Sequence, residues 1–166
     1  MLRSLFVVVL IGLLAGCAKP VLPDLVVRAG TSEDLATFRS DLAARFTAQE
    51  LEPFDTAIQE LKLDAMNRNV APASAREADT LAAVNGKTVH DTLVLGWRAR
   101  RERLLREIAL FTAMHERDLQ LQKENGPDTT QTVLNRIQNE EDILSRLQHD
   151  LADANTRLTT WAAPPR

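Results

Sequence analysis

The C-terminal part of the chain carries a seven-residue repeat that leaves few folds open. Ile137, Leu144, Leu151 and Leu158 occupy one repeat position, and Val133, Glu140, Leu147, Ala154 and Trp161 the other. All but Glu140 are apolar. Apolar residues spaced three and four apart over four heptads form one stripe on a helix, the seam of a coiled coil. Asn125-Gly126-Pro127-Asp128 stands just before it. Glycine there closes one helix, proline forbids its continuation, and Asp128 with Gln131 reads as the start of the next. Upstream, the three-four spacing recurs less cleanly in Val94, Trp97, Arg101, Leu104, Ile108, Phe111, His115, Asp118 and Gln122. Two long helices, about 89–124 and 129–161, joined by so tight a turn have to be antiparallel neighbours. The expected fold class is all-α: a helical bundle with a long antiparallel coiled-coil-like hairpin.

The turn also sets the register. It places Leu104 opposite Asp150 and Leu151, Trp97 opposite Leu158, and Glu140 opposite Met114 and His115. A lone carboxylate in an apolar seam is costly. A structural polar layer is therefore expected, with Glu140 accepting a hydrogen bond from His115 or Arg117. Such layers commonly fix register. Leu93, Leu95, Leu105, Leu110 and Leu121 lie off the seam, so the base of the first arm is expected to pack on further helices.

Those helices are read upstream. Thr31-Ser32 with Glu33 and Asp34 starts one, its stripe running through Leu35, Phe38, Leu42, Phe46 and Leu51. Pro53 is expected to break it. A second follows with Pro53 in its first turn and Phe54, Ile58, Leu61 and Met66 facing inward. After a loop over 67–73, Ser74 and Glu77 match a capping box for a helix over about 75–84. Asn85-Gly86 ends that helix, and Thr88 with Asp91 caps the first hairpin arm. Residues 31–161 read as one helical domain and 162–166 as a frayed tail.

The N-terminus has a different character. Arg3 precedes an apolar run from Leu5 to Leu14, interrupted only by Gly12, and small residues follow. That is the layout of an export signal over 1–16. A membrane span is the competing reading, but an apolar stretch that ends at Lys19-Pro20 is short of the roughly 20 residues a span needs. Leu14-Ala15-Gly16-Cys17 resembles the lipobox of bacterial lipoproteins. The resemblance implies cleavage before Cys17, a diacylglyceryl group joined to its thiol as a thioether, two or three acyl chains in all, palmitate among them, and firm membrane anchoring. Ala18, where such families place an inner-membrane retention Asp, implies an outer-membrane location facing the periplasm if the host is Gram-negative. Cys17 is the sole cysteine, so a lipidated chain has no free thiol left for an oxidising compartment to attack. Residues 17–30, with Pro20 and Pro23, read as an extended lipidated tether. Leu25-Val26-Val27 is the stretch able to dock on the domain.

Without residues 1–16, whose only charged side chain is Arg3, 19 cationic side chains face 23 acidic ones, a net charge of −4. That argues against a nucleic-acid partner, which calls for a basic footprint. Asn85-Gly86-Lys87-Thr88 resembles the end of a phosphate-binding loop, but Leu81 stands where that pattern needs glycine. It reads as a helix-to-helix turn. His90, His115 and His149 lack a Glu three residues before them, so no metal site is expected. The arginines at 98, 100, 101, 103 and 106 spread around the helix, with Asp150, Asp153 and Glu107 near enough to pair. No serine or threonine has a histidine placed to activate it, so no catalytic residue and no cofactor is assigned. The functional expectation is a non-catalytic lipoprotein of the cell envelope, attached to the membrane through Cys17. It would work as a helical scaffold or adaptor for an envelope protein partner. The alternative is a binding module holding a lipid or apolar peptide between helices, and an enzyme is the more remote option. The chain is also compared with the small murein lipoprotein, which is lipid-anchored and helical. It ends in Arg166 rather than the wall-linking lysine of that protein, so covalent wall attachment is not expected.

Overall fold

The computed structural model describes residues 21–162, so the expected export signal, the Cys17 acylation site and the tail beyond 162 lie outside the described residues. Among the described residues, five helices follow one another: α1 (Ser32–Ala43), α2 (Ala48–Asn67), α3 (Ala73–Val84), α4 (Val89–Asn125) and α5 (Gln131–Ala162). Short 3-10 turns at Leu22–Asp24 and Gly126–Asp128 complete the order. Among the described residues there is no strand beyond an isolated antiparallel bridge between Val26 and Thr88. The fold is all-α, a helical bundle carrying a long antiparallel hairpin.

At 1.5 Å per residue, the 37 residues of α4 and 32 of α5 make arms roughly 55 and 48 Å long. Thr88 accepts from the Asp91 N–H and starts α4. Gly126, at φ +54°, ends it. The expected Asp128 start of α5 is replaced: the Thr130 carbonyl takes the Val133 and Leu134 N–H groups, while Pro127 and Asp128 sit in the 3-10 turn. The hairpin pairs His115 with Glu140, Arg101 with Asn155 and Trp97 with Trp161, within a turn of the expected register throughout.

At the base, α2 packs along the first half of α4, and α1 and α3 pack against α2 and against each other. Phe38, Leu42, Leu51, Phe54, Val84, Val89 and Trp97 close into one buried core, with Phe38 meeting Phe54 edge-on at 6.1 Å. Trp97 is held on every side. Its Nε1–H donates to the Pro53 carbonyl at 3.2 Å, Trp161 meets it edge-on at 5.5 Å, and the Arg100 and Arg157 guanidiniums lie over its ring.

Several boundaries differ from the sequence reading. The first helix ends at Ala43 rather than at Pro53. Thr47 and Glu50 form a full capping box that starts α2 six residues ahead of the proline. Pro53 is carried inside α2, where it withholds a single N–H from the helical ladder. Met66, expected inside, is 53% exposed, and Ala65 takes the buried position instead. The Ser74–Glu77 box does not form. Pro72 caps α3 without a side-chain bond, and Glu77 accepts from the Ser32 hydroxyl across the bundle at 2.7 Å.

The expected tether over 17–30 is not free in its second half. Val27 N–H donates to the Lys87 carbonyl, Gly86 N–H to the Val27 carbonyl, and Val89 N–H to the Leu25 carbonyl. Asn85 accepts from Ala29 N–H at 2.9 Å, and Val27 and Ala29 are buried. Apolar side chains and complementary backbone groups hold this segment as an extended strip on the Asn85–Val89 turn.

Candidate functional site: buried carboxylates along the hairpin

Among the described residues, three carboxylates are buried in or beside the long helix pair, and each meets a different answer to the cost of burying charge. They are Glu60 on α2, Asp118 on α4 and Glu140 on α5, at 4, 0 and 5% exposure.

Glu60 lies where α2 crosses α4. Arg103 grips it with two bonds, Nε to Oε2 at 2.9 Å and Nη2 to Oε1 at 2.7 Å, and Arg100 adds a third at 3.3 Å. Arg103 also reaches Glu107 at 2.8 Å. The hydrogen bond to Glu60 raises the Arg103 pKa above the usual guanidinium value, against burial, which lowers it. This bidentate geometry ties α2 to α4 through a planar fork that a lysine would not reproduce. Of the carboxylates expected beside the arginine run, Glu107 pairs with Arg103 and Asp150 lies 3.7 Å from Arg100, while Asp153 pairs with Arg157 instead. Glu60 was missed in the sequence because its partners stand some forty residues away. The available signal was one acidic residue on the apolar face of α2.

Asp118 is fully buried nearer the tip. Arg136 from α5 grips it with bonds of 2.6 and 3.0 Å, and Arg117 lies 3.7 Å from it on the same helix. One turn back along α4, His115 faces Glu140. Their closest atoms, Nδ1 and Oε2, are 3.5 Å apart, and Glu141 Oε1 is 3.9 Å from His115 Nε2. Neither His115 Nδ1 nor Glu140 Oε2 has a hydrogen-bond partner among the described residues. Of the three residues named for the polar layer, the structure brings His115 and Glu140 together, whereas the ionic contact of Arg117 is to Asp118. His90 lies at the base, its Nε2 2.7 Å from the Trp161 carbonyl. No group of three His, Cys, Asp or Glu suited to a metal ion occurs among the described residues.

Two concave regions flank these layers. A cleft of about 260 Å³ lies between α1, α2 and α3, floored by Leu35, Phe54, Ile58 and Leu81 and rimmed by Arg39, Asp55 and Lys62. A broader groove runs between α4 and α5 over Val94, Arg98, Arg101 and Leu158. No helix among the described residues is long and apolar enough to cross a membrane.

Fold and layers together define an all-α protein whose long hairpin is keyed by buried charge. Comparison of the chain with family models, curated proteins and solved structures finds no match in any of the three.

Proposed function

We propose that this chain is a lipid-anchored protein of the cell envelope that works without catalysis, as a helical scaffold or adaptor for another envelope protein. The hairpin carries the scaffold reading. From His115 outward, every polar side-chain partner recorded for α4 lies on α4 itself, on α5 or in the turn between them. A helix pair that extends past its own bundle exposes much surface for little chain and suits contact with another protein. The anchor rests on Leu14-Ala15-Gly16-Cys17, which supports acylation of Cys17 and, with Ala18, a site on the periplasmic face of an outer membrane. The 260 Å³ cleft falls below the usual 300–1,000 Å³ of small-molecule sites, whereas the α4–α5 groove, about 710 Å³, lies within that range. Arg98, Arg101, Glu102 and Asn155 line that groove beside Val94 and Leu158, a lining poorly suited to a lipid or an apolar peptide.

Two measurements test the proposal. Metabolic labelling with an alkyne fatty acid should mark the wild type and not Cys17→Ala; equal marking would remove the anchor. A photocrosslinking residue at Asn125 should capture one defined envelope protein in cells. Capture of only bulk envelope protein would remove the scaffold reading.

A further inference from the structure

One face of α4 complements itself when turned end for end: each charge on it has its opposite at the mirrored position, and its two middle residues are apolar. Asp91, Arg98 and Leu105 are seven residues apart, and so are Ala109, Glu116 and Lys123. At 100° per residue all six fall within an arc of about 40°. All six are exposed. Their face points away from α2, which meets Gly96, Arg100 and Arg103, and stands to one side of the α5 contacts at His115 and Asp118; at its base end Arg98 borders the α4–α5 groove. Arg98, Glu116 and Lys123 have no ion pair or side-chain hydrogen bond among the described residues. Leu105 and Leu119, 37 and 40% exposed, add apolar surface to the same side.

We propose that this face binds a second copy of the chain, with the two α4 helices antiparallel about a two-fold axis near Glu107. A two-fold contact has to be self-complementary, each patch meeting its own mirror in sequence. Turning α4 end for end about that axis sets Arg98 of one copy on Glu116 of the other. It sets Asp91 on Lys123 and Leu105 on Ala109, and brings Val94 near Leu119. Each pairing occurs twice by symmetry. A parallel in-register pair would instead stack Arg98 on Arg98 and Glu116 on Glu116, so the charges select the antiparallel arrangement. Exposed ion pairs add little affinity and are screened by salt. The apolar strip supplies the attraction, and the charges supply its direction. The inference does not depend on acylation of Cys17.

Sedimentation of the full chain in a non-ionic detergent tests it, with circular dichroism confirming that each variant is folded. The wild type should sediment as a dimer that weakens as salt is raised. Arg98→Glu and Glu116→Arg should each raise the dissociation constant tenfold or more. The double variant R98E/E116R should dimerise again, as should an equimolar mixture of the two single variants. A wild type that stays monomeric at all concentrations would overturn the proposal. So would single reversals without effect, or a double variant that remains monomeric.

Discussion

Gly96 lies flat against Ala57, at the point where α4 crosses α2. A Cβ added at residue 96 would stand 2.5 Å from the Ala57 Cβ and closer still to its Cα and carbonyl oxygen. Two backbones in contact cannot give way as a flexible side chain can. Gly96→Ala should therefore destabilise the protein by about 1–3 kcal/mol, the usual cost of overpacking. Helix propensity alone would favour alanine by about 1 kcal/mol. Urea unfolding followed by circular dichroism decides between them. Adding Ala57→Gly should recover only part of the loss, because the Ala57 backbone also obstructs.

The Asp118–Arg136 pair predicts an asymmetry. Asp118 is fully buried, whereas the Arg136 side chain is 47% exposed. Arg136→Ala strands a carboxylate without water and should cost about 3–5 kcal/mol, the range for breaking a buried pair. Asp118→Ala leaves a guanidinium that can turn to solvent and should cost clearly less. Replacing both by leucine should be near neutral or stabilising. Equal losses from the two single variants would show that Arg136 is as trapped as its partner.

At the His115–Glu140 layer the two facing atoms have no hydrogen-bond partner among the described residues. His115→Leu with Glu140→Leu removes both and completes the apolar seam. Thermal stability should rise, while register, measured by disulfide trapping between cysteines placed across α4 and α5, should become less unique. A fall in melting temperature would mean that the layer stabilises as well as aligns.

Two helix caps predict behaviour in acid. Hydrogen bonding by the Thr88 side chain, foremost among several causes, lowers the Asp91 pKa below its ordinary value of 3.8. The Thr47 backbone, then its side chain, lowers Glu50 below 4.5. A carboxyl that binds its proton more weakly when folded stabilises the fold above its unfolded value. It loses that contribution as the pH falls through the folded value. The wild type should therefore lose stability below about pH 4 more steeply than a Glu50→Gln, Asp91→Asn variant. Thr88→Ala should cost about 1 kcal/mol at neutral pH.

Local signals in the sequence marked the hairpin well. The heptad, the Gly126-Pro127 turn and the Thr88 cap each act over a few residues, and the turn fixes which residues meet across the arms. That is why the turn alone sets His115 against Glu140. Asp118 and Arg136 follow from the same register, but Arg136 stands off the seam and drew no notice. Where two local signals competed, the reading failed. Thr47 with Glu50 fitted a capping box as well as Ser74 with Glu77, yet only the first forms, and both helices start ahead of the expected boundary, α2 at Ala48 with Pro53 inside it and α3 at Ala73 directly after Pro72. Contacts such as Gly96 on Ala57 and Glu60 on Arg103 leave no local trace, because what selects them is the crossing of two helices distant in sequence.

The strip stitched to the Asn85–Val89 turn shortens the leash of the proposed anchor. Leu22 and Leu25 already lean on the core. Only residues 18–21 separate Cys17 from Leu22, a reach of about 14 Å at most. A body moored so closely could not roam far from the surface that holds it. Whatever it grips would come under the hairpin's sweep by sliding along that surface, a search in two dimensions rather than three.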